Sequence, residues 1–300
     1  MKNTVKRLGI IAVCAAVIIF SACSDGGGSG SSDSAPAGMV KIPAGTFMMG
    51  SPESEPNRLS ARETQHSVTL TKSFYMGKYQ VTQKQWKAVM EKTIEEQQDE
   101  DDTTDYGRGD NHPIYYVTWY DTIEFCNKLS IKGGLTPVYS LNGKTNPAEW
   151  EYACRGSYTN KATETNTKPF GIGDGTKMIS GMANFRVIYP YDLAHDPAGN
   201  YSDTDATGYV GKTTAVGSYA ANNYGLYDMH GNVWEWCWDW WYDSYSDSPA
   251  NDPAGAVTGS FRVLRGGSWD DYGQYLRSAL RGGGNPSVRD EYLGFWLVRS

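Results

Sequence analysis

Leu226 to Trp241 read LYDMHGNVWEWCWDWW, and this stretch decides how the rest of the chain is organised. Trp234, Trp236, Trp238, Trp240, Trp241 and Tyr242 crowd into nine residues, with acids at Asp228, Glu235, Asp239 and Asp243. Leaving that much ring surface wet is costly, so the stretch predicts an aromatic core. In a strand, Trp234, Trp236, Trp238 and Trp240 share one face. Gly231 and Asn232 just before it tolerate positive φ and mark a turn.

Outward from this core, the composition limits the choices. The 300 residues carry a formal net charge of −7 with no Lys/Arg block, which argues against a nucleic-acid partner. Frequent glycine and abundant aromatics suit a loop-rich fold with short strands better than a helix bundle. At the N-terminus, Lys2, Lys6 and Arg7 precede an apolar run from Leu8 to Phe20, of signal-peptide length and short for a membrane span. Ser21, Ala22 and Cys23 resemble a bacterial lipobox, although Phe20 stands where Leu is usual. Residues 1–22 are therefore expected as a lipoprotein signal, Cys23 as the lipidated residue and 23–38 as a Gly/Ser tether. An ordinary cleaved signal is the alternative. A flexible leash of this length spans on the order of 20 Å. The expected location is the bacterial cell envelope, anchored by lipid to the outer membrane and exposed at the surface. Beyond Cys14 and Cys23, the thiols Cys126, Cys154 and Cys237 allow at most one disulfide.

Residues 39–300 read as one domain. Met39–Gly50 alternates about a Pro-Ala-Gly turn like an opening hairpin, and 66–76 has strand composition. Thr82 caps a helix to Met90, Thr118 a second to Ser130, and Pro147 with Glu149 opens a third that Gly156 stops. The acids of 91–105 read as a solvated insertion, with a metal-binding loop as the alternative. Short strands are predicted over 112–117 and 213–219, and loops over 157–209.

Pro43-Ala-Gly-Thr-Phe-Met-Met-Gly, Tyr79-Gln-Val-Thr-Gln, Pro113-Ile-Tyr-Tyr-Val-Thr-Trp, Ala148-Glu-Trp-Glu-Tyr-Ala, Tyr224-Gly-Leu-Tyr-Asp-Met-His-Gly-Asn-Val-Trp-Glu-Trp, Arg265-Gly-Gly-Ser-Trp and Leu293-Gly-Phe occur in this order. Together they resemble the formylglycine-generating-enzyme, or sulfatase-modifying-factor, domain. The resemblance covers 39–300 and implies an α+β C-type-lectin-like fold: two or three helices on twisted antiparallel strands, with much loop. One departure is Gly143-Lys-Thr-Asn-Pro147, where the family has Arg-Leu-Pro-Thr. The family's oxidation of a substrate cysteine uses a Cys pair beyond the Gly-Gly-Ser motif. Here those positions fall at about Asp271 and Leu276, and no cysteine follows Cys237. The expectation is a non-enzyme without a catalytic cofactor; the competing expectation is an enzyme or pseudoenzyme acting on an exported substrate. His66, His112, His195 and His230 have no metal-motif spacing and read as surface or capping residues.

The resemblance also implies a structural Ca2+ held by the Asp228 and Glu235 side chains and the Gly231 and Val233 carbonyls, a donor set suited to a hard cation. Alternatively, the two acids cap the turn without metal. A second family site matches poorly, with Asn184 and Phe185 its only corresponding residues.

The tail, about 263–300, mixes framework-like residues with Asp271, Tyr272, Gln274, Tyr275, Gly282, Gly283, Gly284, Asn285, Asp290, Glu291, Tyr292 and Trp296. Tyr, Gly, Asp and Asn are the residues paratopes favour. The tail is similar to the variable region of retroelement-diversified proteins, which share the C-type-lectin-like fold. Trp296 stands where relatives usually carry Arg, one adenine change away. These twelve residues are the expected contacts for a protein or cell-surface ligand, with Tyr272, Tyr275, Tyr292 and Trp296 on one solvent-facing patch. A loop at 282–285 with the tyrosines in the core is the alternative.

Overall fold

In a computed structural model, residues 35–98, 102–137, 147–156, 167–192, 207–245, 248 and 250–299 are described. Cys23, His195 and nearly all of the signal and tether lie outside them, and so do 157–166 and 193–206 of the loops expected over 157–209. β7 (Trp234–Trp240) runs through the centre of a four-stranded sheet. Its neighbours are β9 (Arg262–Arg265), antiparallel and itself paired with β10 (Gly282–Gly284), and β11 (Leu293–Gly294), which runs parallel. The alternation predicted for β7 holds. Trp236 donates its indole N–H to Val117 O (3.0 Å), and Trp238 and Trp240 lie with Trp119 around the Arg262 guanidinium. On the opposite face Glu235 and Cys237 meet the third helix. The register slips between Trp236 and Trp240, so the strand kinks within its run of indoles.

The three helices fall where their caps predicted. α1 (Gln83–Met90) and α2 (Trp119–Lys132) each carry a full capping box, from Thr82 with Gln85 and from Thr118 with Asp121. The Trp86 ring stacks on Phe125 across the two helices (5.5 Å). α3 (Pro147–Arg155) is buried along its whole length, and Gly156 leaves it at φ +58°.

The strands depart from expectation in pairing rather than in place. β1 (Met39–Ile42) pairs with β4 (Phe74–Gly77), and β2 (Gly45–Met49) with β3 (His66–Leu70), so Met39–Gly50 is two strands of separate sheets and not a hairpin. β12 (Val298–Arg299) joins β4, bringing the two ends of the domain together, and β8 (Ala250–Asn251) adds to β3 in parallel. β5 (Lys177–Met178) and β6 (Tyr191–Asp192) form a small ribbon. Residues 112–117 and 213–219 are irregular. Tyr116 takes φ +56°, and Thr213 donates both its amide (2.9 Å) and its hydroxyl (3.0 Å) to Tyr106 O. The acidic insertion is not wholly solvated: Ile94, Gln97 and Gln98 are buried.

Buried ion pairs tie these layers together. Glu151 accepts from Arg155 Nη2 (2.8 Å), from Arg265 Nη2 and from the Gly50 amide (2.8 Å). Arg277 Nη1 reaches Glu55 (2.5 Å) and Glu63 (2.7 Å), and none of the three is solvent-exposed. The family-like arginines of the tail are therefore framework.

Candidate functional site

Trp234, the first residue of β7, gathers three separate pieces of the tail. Its indole lies close enough to the Asp271 carboxylate to draw that group's pKa down. The far edge of the ring lies against Gly282, 3.4 Å from where a Cβ would stand. Its backbone N–H donates to Tyr292 O (2.7 Å). One half-buried residue, through its ring and its backbone, thus brings together 270–275, 282–285 and 290–292, a constellation that sequence distance hides.

The first piece wraps a short 3-10 turn, η1 (Gly273–Leu276). Asp271 accepts from the Ser268 amide (2.9 Å) and hydroxyl (2.6 Å), and burial raises its pKa against those donors. Asp270 accepts from Arg186 Nε (2.9 Å) and the Tyr209 hydroxyl (2.5 Å). Tyr272 packs on Tyr189 at 4.0 Å with the Arg186 guanidinium 5.8 Å from its ring, and Tyr275 follows at 6.0 Å. Tyr275 is 39% exposed. The Gln274 side-chain oxygen is buried without a donor, while its backbone carbonyl accepts from Arg277 Nε (3.1 Å).

The second piece is a strand and not a free loop. None of the three glycines of β10 has positive φ; what requires them is space. Beyond the contact of Gly282 with Trp234, a Cβ on Gly283 would lie 2.9 Å from Trp241, and one on Gly284 2.7 Å from Trp236. Indoles of the core lie directly on this backbone, so two of the expected ligand contacts, Gly282 and Gly284, also serve packing. Asn285 is exposed and bonds the Ser287 amide (3.0 Å).

In the third piece, Asp290 accepts from the Tyr292 amide (3.0 Å), and burial with the nearby charge of Glu291 pushes its pKa up to about 6. Glu291 faces the Tyr116 hydroxyl (3.4 Å), which donates to Asp102 (2.6 Å). Tyr292 lies on Trp269 at 5.0 Å. Trp296 is the misplaced member of the expected patch: it is 3% exposed and packed in the core with Trp150. β11 is the edge strand of its sheet, and the chain leaving it carries Trp296 into the core, where an indole gains by burial. Arg186, Tyr189, Tyr209 and Tyr116 were missing from the expected set, because they lie far upstream in loops without periodicity.

The Asp228 turn is built differently from the implied calcium site. Four oxygens converge: Asp228 O, Gly231 O, Val233 O and Glu235 Oε1. Gln80 Nε2 stands among them at 3.2, 3.4, 3.3 and 2.8 Å. The Asp228 carboxylate points away and accepts from the Gly217 amide (2.6 Å), so its backbone carbonyl joins the ring in place of the side chain. Burial pushes Asp228 up to about 6 and Glu235 to about 8, the latter against donation from Gln80 and Trp150. Since an amide fills the space between the donors, the residues as placed do not fit a cation.

Of the residues expected near the family's cysteine pair, Leu276 is fully buried. Among the described residues, no disulfide joins Cys126, Cys154 or Cys237. Burial pushes Cys154 up to about 12 and Cys237 well above the ordinary thiol range, conditions that suppress the thiolate. His230 is a core residue and not a surface or capping one. Its Nδ1 pairs with Leu276 O (2.7 Å) and Nε2 accepts from the Gly171 amide (3.0 Å), while burial holds its pKa down to about 4.

Comparison with known proteins agrees with this architecture. The chaperone protein LppX of Paenibacillus barcinonensis is 30% identical over 295 residues, covering 87% of each chain. The formylglycine-generating enzyme of Mus musculus is 30% identical over 190 residues, 62% of this chain but only 43% of the enzyme. Among solved structures, PvdO from Pseudomonas aeruginosa superposes with a TM-score of 0.66 at 29% identity, covering 90% of this chain and 96% of that one. The Treponema denticola variable protein 1 does so at 0.63 and 28%, covering 87% and 94%. Residues 29–300 match the Sulfatase-modifying factor enzyme 1-like domain, and the chain belongs to that family.

Proposed function

We propose that this chain is a non-catalytic lipoprotein of the bacterial cell surface that binds a protein ligand through the Trp234-centred face. The carrying observation is the convergence of three tail pieces on Trp234, two at its indole and one at its backbone N–H, which sets Tyr272, Tyr275 and Tyr292 on a rigid support. Rigid aromatic contact area beside adaptable Asp and Asn is how paratopes gain affinity at low entropic cost. The likeness to the Treponema denticola variable protein 1 supports the same reading. Lipidation at Cys23 would hold the domain at the membrane, and the tether would lift it clear. Among the described residues, no helix is long and apolar enough to cross a membrane.

The family also contains enzymes, which keeps a second reading in play: action on an exported substrate. Asp271 and Leu276 in place of the thiol pair favour the first. The deciding experiment displays the domain against a library of envelope and host-surface proteins, beside a Tyr272→Ala/Tyr275→Ala/Tyr292→Ala variant. The expected outcome is a captured protein whose binding falls at least tenfold in the variant, with the melting temperature nearly kept. Conversion of a sulfatase-derived cysteine peptide to formylglycine by the wild-type domain would overturn the proposal in favour of the second reading.

A further inference from the structure

The turn that delivers Trp234 is held by an amide where its family resemblance calls for a metal. Gln80 is fully buried, and its Nε2 carries two protons into a ring of four oxygens, Asp228 O, Gly231 O, Val233 O and Glu235 Oε1, at 2.8–3.4 Å. Those are N–H···O distances. A calcium ion draws oxygens in to about 2.3–2.6 Å and would need the position the nitrogen takes.

The orientation of such an amide has to be argued, because its oxygen and nitrogen are interchangeable in shape. Here the argument closes on backbone groups that cannot flip. Asn232 Oδ1 accepts from the Thr214 amide (3.0 Å), and Asn232 Nδ2 donates to Thr214 O (3.3 Å). Thr214 therefore dictates which way Asn232 faces. Asn232 Nδ2 in turn donates to Gln80 Oε1 (3.1 Å). With its oxygen claimed by Asn232, Gln80 has only its N–H groups to offer the ring. Turning the oxygen toward a cation would bring Nε2 against Asn232 Nδ2, donor on donor. Asn184 Nδ2 adds a further bond to Asn232 Oδ1 (3.2 Å) while donating to Lys212 O (2.9 Å), fastening Asn232 from a third side.

We propose that Gln80 replaces the cation: the Thr214–Asn232–Gln80 relay inserts an amide into the oxygen ring and makes the Asp228–Glu235 turn independent of metal. Its benefit is local. Asp228 and Asn232 sit at φ +55° and +66°, and Gly231 at +85°, conformations that need outside support. The four bonds to Gln80 span that turn and end one residue past Trp234, so they preserve the ring's placement whatever the face binds. The inference does not rest on the proposed function.

The test uses the mature chain with and without calcium after treatment with a chelator. Wild type is expected to keep its melting temperature within about 1 °C in either buffer. In Gln80→Glu the ring gains a carboxylate and loses both protons, so that variant should be less stable in chelator and recover by about 5 °C or more at saturating calcium. If Gln80→Glu does not fold, wild type and Glu235→Gln decide. One equivalent of calcium bound by wild type, with a calcium-driven rise in melting temperature that Glu235→Gln abolishes, would overturn the proposal.

Discussion

Two sets of residues interleaved along the tail from Arg265 onward obey opposite rules. Arg265, Arg277 and Arg281 turn inward, and the first two end on buried carboxylates: Glu151 for Arg265, Glu55 and Glu63 for Arg277. Tyr272, Tyr275 and Tyr292 turn outward and end on other rings. A buried charge without its partner costs several kcal/mol, so the inward set allows few substitutions. A half-exposed ring resting on another ring loses little on exchange. The tail can therefore be both framework and display, because alternate residues answer to different surroundings.

The contrast is broken most directly at Glu151. It bonds Arg155 within α3, Arg265 on β9 and the Gly50 amide after β2, so one carboxylate joins three layers. The two guanidinium groups hold its pKa below the ordinary glutamate value despite complete burial. Glu151→Ala leaves two buried cations facing a void and should cost about 3–5 kcal/mol in denaturant unfolding. Tyr275→Ala, made beside it, should cost under about 1 kcal/mol. Comparable losses at the two positions would erase the distinction between framework and display.

His230 sharpens the same contrast through pH. The imidazole is buried and neutral, donating to Leu276 O and accepting from the Gly171 amide, with the Cys154 thiol 3.6 Å from Nε2. Its pKa is down at about 4, against an ordinary value of 6.5. The unfolded chain thus takes up a proton between those two values while the folded chain refuses it. The histidine's contribution to stability is complete above about pH 6.5 and is lost as pH falls through about 4, by about 3 kcal/mol at most. Asp228 and Asp290, each raised to about 6, work in the opposite direction, because their folded forms hold protons longer as pH rises. The difference between wild type and His230→Gln isolates the histidine. The variant should lose less stability between pH 7 and 4.5 in urea unfolding, and an unchanged slope would show that His230 takes up its proton at the same pH folded and unfolded.

How much of this was legible depended on whether the signal was local. The capping boxes of α1 and α2 and the Pro-first start of α3 are written within a few residues, and those helices stand where they were read. The alternation of β7 was equally plain, because burial with period two needs no partner to be recognised. Partner choice was not. Met39–Gly50 has the pattern of a hairpin, yet β1 prefers β4 and β2 prefers β3, a choice made by long-range packing. His230 reads as an ordinary polar residue until Gly171 and Leu276 close around it. Gln80 could not have been picked out, since its meaning lies in carbonyls some 150 positions away. The proposed display residues were chosen by composition, which picks exposed Tyr275 and buried Trp296 alike. Composition carries no information about which side of β11 a ring lands on.

The finest division runs through adjacent glycines. Gly283 and Gly284 neighbour each other in β10 and look identical in sequence, but Gly284 faces Trp236 and Gly283 faces Trp241. Trp236 is buried and anchored by its bond to Val117 O, so a methyl group 2.7 Å from its ring has nowhere to push it. Trp241 is half-buried, with the Arg281 guanidinium 4.8 Å from its ring and its indole N–H bonded to exposed Asp243, so it can tilt toward solvent. Overpacking at a rigid site costs about 1–3 kcal/mol, and at a yielding one much less. Gly284→Ala should therefore lower stability by about 2 kcal/mol, and Gly283→Ala by under about 1 kcal/mol, in paired thermal melts. Equal costs would mean that Trp241 is as fixed as Trp236, and would move Gly283 from the display to the framework.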